Sequence, residues 1–186
     1  MTISDILKEA EQKMAGAVDY AKQDFAAIRT GRAHPDMFNK LQASYYGTPT
    51  PLQQLVTFHT PEPRTMLITP FDRSALPAVE KAIRDSDLGV APSNDGNTIR
   101  VVLPELTTER RQEYTKTARA KAEEGRIAVR NIRRHQMEQV KRLEKDKQIG
   151  EDEADRAEKQ LDTATKKYID QVDALLKAKE AELMAV

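Results

Sequence analysis

Lys116–Leu143 reads KTARAKAEEG RIAVRNIRRH QMEQVKRL, and its spacing sets how the rest of the chain must be organised. Ala118, Ala122, Gly125, Val129, Ile132, Gln136, Val140 and Leu143 recur every three or four residues, the repeat of one helical face. The pattern predicts a helix from about Thr108 to Lys147, roughly 60 Å long at about 1.5 Å per residue. Small residues in the first half of the seam let neighbouring helices approach closely. Lys141, Arg142, Lys145 and Lys147 suit the negative end of its dipole.

Working outward, all nine prolines lie between Pro35 and Pro104. Proline breaks helix interiors, so long helices belong on either side of that segment. Upstream, Ile3, Leu7, Ala10, Met14, Ala17, Ala21, Phe25 and Ile28 form a second helical stripe, with Thr2 or Ser4 to cap its start and Gly31 to end it. Downstream, Ile149-Gly150 breaks the pattern. Glu151, Asp152, Glu153 and Asp155 then open a third helix at the end that favours negative charge. Its seam is Ala154, Ala157, Leu161, Ala164, Tyr168, Val172, Leu175 and Leu183. Three helices with one apolar stripe each bury those stripes best against one another. The reading is an α+β protein: a discontinuous three-helix bundle of residues 1–30 and 105–186, with residues 31–104 inserted as a small α/β domain.

Within the insert, Leu41–Tyr46, Leu55–Thr60, Thr65–Thr69 and Thr98–Leu103 read as strands, and Ala75–Asp87 as one helix with Ser74 its cap. Turns are expected at Gly47-Thr48-Pro49, Pro61-Glu62-Pro63 and Asn94-Asp95-Gly96. Phe58 and Phe71 are expected in the core. Tyr45 and Tyr46 should point to opposite faces, one inward and one outward. The chain crosses between domains twice, at Arg29-Thr30-Gly31-Arg32 and Pro104-Glu105-Leu106-Thr107, a joint expected to hinge rather than tumble.

Composition narrows the chemistry. Without cysteine there is no thiolate metal site, disulfide or cysteine nucleophile. His34, His59 and His135 form no i, i+4 pair, phosphate-binding glycine motifs are missing, and the Glu151–Asp155 cluster lacks calcium-loop spacing. No enzyme, metal or cofactor is expected. Nor is a membrane partner, since no long apolar run occurs. The N-terminus does not resemble a targeting segment, so a cytoplasmic protein is expected.

Thirty basic and thirty acidic side chains cancel, but unevenly along the chain. Residues 108–147 hold 13 Lys+Arg against 7 Asp+Glu, a net of +6, and residues 148–186 hold 6 against 10, a net of −4. On the long helix Arg119, Arg126, Arg130 and Arg133 fall within roughly 60° of arc, about a quarter-turn from the seam, with Arg134 and Lys141 beside them. Arginine's planar fork of donors suits phosphate. Only two acidic residues, Glu123 and Glu124, lie between positions 114 and 137, so the stripe reads as undercompensated and solvent-facing. That favours a polyanion, against the plainer reading of a solvated face on an adaptor that docks a partner helix.

Eight segments, in order along the chain, carry a family resemblance. They are Ile28-Arg29-Thr30-Gly31-Arg32-Ala33; Tyr45-Tyr46-Gly47-Thr48-Pro49-Thr50-Pro51-Leu52-Gln53-Gln54-Leu55; Phe71-Asp72-Arg73-Ser74; and Pro77-Ala78-Val79-Glu80-Lys81-Ala82-Ile83. Ser86-Asp87-Leu88-Gly89, Ile99-Arg100-Val101-Val102-Leu103-Pro104, Leu106-Thr107-Thr108-Glu109-Arg110-Arg111 and Ala128-Val129-Arg130-Asn131-Ile132-Arg133-Arg134 complete the set. Together they resemble a bacterial ribosome recycling factor from end to end. The resemblance implies an L-shaped monomer that binds the large ribosomal subunit and its 23S rRNA after termination. Elongation factor G, carrying GTP, would then act on the bound factor to split the subunits and release mRNA. It implies rRNA contacts at Arg29, Arg130 and Arg133, with Arg126 and Arg134 as neighbours, and a hinge near Arg32 and Leu106. His135 and Ala43-Ser44 depart from the family pattern.

Overall fold

The computed structural model describes residues 1–185; Val186, the last residue of the expected bundle, lies outside them. In chain order the elements are α1 (Ile3–Ala26), β1 (Gln42–Tyr45), β2 (Thr48–Pro51), β3 (Val56–Glu62), β4 (Thr65–Pro70), α2 (Leu76–Arg84), β5 (Pro92–Asn94), β6 (Ile99–Val102), α3 (Thr108–Lys145) and α4 (Glu151–Met184). The chain divides into two compact units, Met1–Phe25 with Lys116–Glu180 and Ala26–Thr115 with Ala181–Val186. The division runs through the helices, so the first turns of α3 belong with the strands.

The first unit is made of α1, α3 and α4. Thr2 Oγ1 accepts from the Asp5 amide while Asp5 Oδ2 accepts from the Thr2 amide, each at 3.1 Å, a reciprocal cap that starts α1. These bonds hold the Asp5 carboxyl below its ordinary range. Ile6, Ala10, Met14, Val18, Ala21 and Phe25 are buried. The stripe is thus rotated slightly from the expected one: Ile3, Leu7 and Ala17 sit at its margin, and Ile28 lies beyond the helix end. Ile6 and Ala10 pack with Met137 and Val140 of α3 and Ala154, Ala157 and Leu161 of α4. Gly125 marks the close approach of the three helices, because a Cβ there would lie 3.4 Å from both Ala21 Cβ and Val172 Cγ1. Lys147, not Gly150, takes the left-handed conformation that ends α3, with a φ of 59°. The Gln148 amide bonds back to Leu143 O and the Lys147 amide to Glu144 O, a Schellman closure.

The second unit is a four-stranded antiparallel sheet, order β3-β4-β6-β5, with α2 and a separate β1–β2 hairpin. Phe38, Leu52, Met66, Ile68, Val79, Ile83, Ile99 and Val101 are among its core residues. Two strands were not expected. Thr48–Pro51, whose first two residues read in sequence as the end of a turn, form β2, because the turn sits earlier: Tyr46 and Gly47 both take positive φ, 50° and 77°. That is the two-residue primed turn whose twist suits a hairpin. Prolines are tolerated in β2 and β5 because both lie at sheet edges. β3, also an edge strand, runs through Pro61 to Glu62 with a register irregularity after His59. Asp72, rather than Ser74, supplies the cap ahead of α2, its Oδ1 accepting from the Ser74 amide at 2.9 Å. Phe58 stacks on Phe38 with centroids 5.6 Å apart. Phe71, expected in the core, is 69% exposed: it follows the last residue of β4, where no second layer covers it.

Candidate nucleic-acid interface

Along α3 the sequence-selected arginines separate into two sets. Arg119, Arg126 and Arg133, spaced by seven, lie on the side facing α4, and each meets a carboxylate there. Arg119 Nε donates to Glu180 at 2.9 Å, Arg126 Nε to Asp173 at 2.7 Å, and Arg133 Nε to Asp162 with Glu158 at 3.7 Å. As the arginine numbers rise by seven, their α4 partners fall by seven and then eleven, the register of an antiparallel ladder. A terminal nitrogen of Arg126 also reaches Glu123 at 3.0 Å, and the hydrogen bond to Asp173 leads in pushing its pKa above the ordinary arginine range. Arg126 and Arg133 are only 22% and 32% exposed at the side chain.

The expectation of an undercompensated stripe is therefore corrected. Its compensating carboxylates sit on another helix, where spacing within α3 cannot report them. The signal that could have found them is the seven-residue step, which places a side chain at the flank of a helix pair. Arg130 turns further out, 54% exposed, with one 3.4 Å contact to Glu123. Arg134 is exposed and forms no ion pair among the described residues, as do Lys141, Arg142, Lys145 and Lys147 beyond it.

Arg29 is the most enclosed of the sequence-selected arginines. It is 4% exposed, and its guanidinium donates to the Pro104 carbonyl. Burial holds its pKa below the ordinary arginine range, and nearby Arg110 and Arg64 act in the same direction. A head group enclosed in this way ties the two crossing segments together. In the same segments Thr30 Oγ1 accepts from the Arg32 amide at 3.4 Å, Glu105 lies 3.8 Å from Arg64, and Thr107 Oγ1 caps α3 by accepting from the Arg110 amide at 3.1 Å. At the hairpin, Tyr45 is partly buried and its hydroxyl donates to Asp72 at 2.6 Å, while Tyr46 at the turn is 83% exposed. Among the described residues no His, Asp and Glu side chains converge as a metal site, and no helix is long and apolar enough to cross a membrane.

The model of the family described as "Ribosome recycling factor" matches residues 21–184. The chain belongs to the ribosome recycling factor family. It is 65% identical to the ribosome-recycling factor of Cutibacterium acnes across 99% of this chain and all of that one, and 60% identical to that of Streptomyces coelicolor over the same share of each. It is also similar to a solution structure of a ribosome recycling factor, with 42% identity and a TM-score of 0.78 over its whole length and 99% of that chain. A second similar structure covers the whole of both chains at 40% identity and a TM-score of 0.69; it comes from models of the T. thermophilus ribosome recycling factor and E. coli elongation factor G bound to the E. coli post-termination complex. The recycling factor relatives thus match the helical unit and the sheet unit alike, so the α3–α4 ladder lies within the shared span.

Proposed function

We propose that this protein recycles ribosomes. It binds the post-termination ribosome on the large subunit and its 23S rRNA and, with elongation factor G and GTP bound to that partner, splits the subunits and frees the mRNA. The observation that carries this reading is the likeness over the full chain to a recycling factor placed beside elongation factor G on a post-termination complex. The protein works mechanically, as a cytoplasmic monomer that hydrolyses nothing itself and needs no cofactor.

In this reading the helices of residues 1–30 and 105–186 form the RNA-binding body, and residues 31–104 form the arm that the GTPase displaces. Arg130 and Arg134 reach outward from α3, and Arg119, Arg126 and Arg133 offer the guanidinium nitrogens that α4 leaves free. Arg29, Thr30, Gly31, Arg32, Pro104, Glu105, Leu106 and Thr107 make the hinge, with the Arg29–Pro104 bond holding its two strands side by side. The pairing of the stripe with α4 is the one feature that favours an adaptor with a merely solvated face. The identity across the whole chain weighs more.

The test is subunit splitting on ribosomes stalled after peptide release, followed by light scattering. A drop that requires the protein, elongation factor G and GTP together is expected. No drop, with the GTPase taken from the same organism, would leave the adaptor.

A further inference from the structure

Three arginines face α4 in the same manner. Each gives its Nε to an α4 carboxylate: Arg119 to Glu180, Arg126 to Asp173, Arg133 to Asp162. Arg126 and Arg133 each use one terminal nitrogen on a second carboxylate, Glu123 and Glu158. In all three, at least one terminal amino group is without a carboxylate among the described residues. A guanidinium is planar, so an acid fixed on one edge sets the direction of the opposite edge. The partners sit at the surface, with Glu180 32% and Asp162 53% exposed, so the acids share the face they neutralise.

Two consequences follow. The ion pairs favour one direction for each arginine head, which reduces the entropy lost when a phosphate binds. The local charge is also close to zero, so the long-range attraction that draws any RNA to a row of arginines is largely cancelled. An RNA gains from this edge only if its phosphates reach the free nitrogens while the carboxylates stay in water. Repulsion directed at the wrong partner is a general route to specificity.

Resting on the recycling-factor reading above, we propose that Asp162, Asp173 and Glu180 of α4 are positioning and specificity-determining residues. They orient the arginine edge toward the ribosomal site and reject unrelated RNA. The chemistry recognised is the spaced phosphate backbone of structured RNA, and the carboxylates set which spacing is accepted.

The experiment compares Asp162→Asn, Asp173→Asn and the double variant with wild type. Asp155→Asn is the control, an exposed α4 acid that pairs with no arginine among the described residues and carries the same charge change. Binding of the full chain to large subunits, and to an unrelated RNA duplex, is measured across salt concentrations. Each unmasked arginine should steepen the salt dependence for the duplex by about one log unit per log unit, so that roughly threefold more affinity is lost between about 50 and about 200 mM salt. Affinity for the duplex should rise at low salt, and the ratio favouring large subunits should fall. Asp162→Glu should restore wild-type discrimination, which a loss of folding would not allow. Duplex binding by Asp162→Asn and Asp173→Asn equal to that of Asp155→Asn would overturn the proposal. Unchanged binding of large subunits by Arg133→Ala would instead remove the arginine edge from the RNA contact, and the assignment of the acids would fall with it.

Discussion

Tyr45 and Asp72 show how one side chain anchors a loop far away in sequence. The Tyr45 hydroxyl donates to Asp72 Oδ2 at 2.6 Å, and Asp72 Oδ1 accepts from the Ser74 amide and hydroxyl. The bond to Asp72 is the main reason the Tyr45 pKa is pushed up to about 12, and the bond from Tyr45 leads in holding the Asp72 carboxyl below its ordinary range. The two signs differ. A phenol whose folded pKa is raised stabilises fully below its ordinary pKa of 10.0 and loses that contribution as pH climbs through about 12. A carboxyl whose folded pKa is lowered stabilises above its ordinary 3.8 and loses that contribution as pH falls through the folded value. Phenolate absorbance in an alkaline titration should therefore show a late step near pH 12, and Tyr45→Phe should abolish it. A late step that survives Tyr45→Phe unchanged, or no late step at all, would show that the bond does not persist in solution.

At the level of elements, Gly125 decides how closely the helices of the first unit pack. Its φ is not positive, and an added Cβ would meet Ala21 Cβ and Val172 Cγ1 at 3.4 Å, about van der Waals contact. Glycine inside a helix costs about 0.8–1.0 kcal/mol relative to alanine, so Gly125→Ala should stabilise the protein by about 0.5 kcal/mol after the tight contact is subtracted. Gly125→Val places two further carbons in the same space and should destabilise it by about 1–3 kcal/mol. Urea melts would measure both, and a Gly125→Ala variant weaker than wild type would mean that the seam cannot yield even a few tenths of an ångström. The helices were legible because each stripe reports its own buried face: Ala118, Ala122, Val129 and Val140 are all fully buried. What a stripe does not report is the neighbour. The periodicity that located Arg126 says nothing of Asp173, which lies 47 residues away on α4. Strands β2 and β5 were hidden for another reason, since proline is read as a turn residue and only sheet-edge position makes it compatible with a ladder. The hairpin turn was hidden too, because tyrosine with positive φ replaces the Asn or Asp that usually opens a primed turn.

For the whole molecule, a net charge of zero gives no monopole to steer it toward RNA. The +6 of residues 108–147 stands beside the −4 of residues 148–186, and the α3–α4 ladder brings much of that excess into contact. Arg134, Lys141, Arg142, Lys145 and Lys147, which form no ion pair among the described residues, gather toward the C-terminal end of α3. A local cluster of this kind can steer encounter with a polyanion. Physiological salt screens charges beyond about 8 Å, so the patch acts only as the partner closes. Replacing Lys141 and Lys145 together with glutamine should slow association with large subunits at low salt and leave dissociation nearly unchanged. The difference should vanish near about 1 M salt, where the screening length is about 3 Å. Stopped-flow association and dissociation rates across a salt series would read both. A defect that survived high salt, or that lay in dissociation, would make these lysines direct contacts of the bound state rather than guides to it.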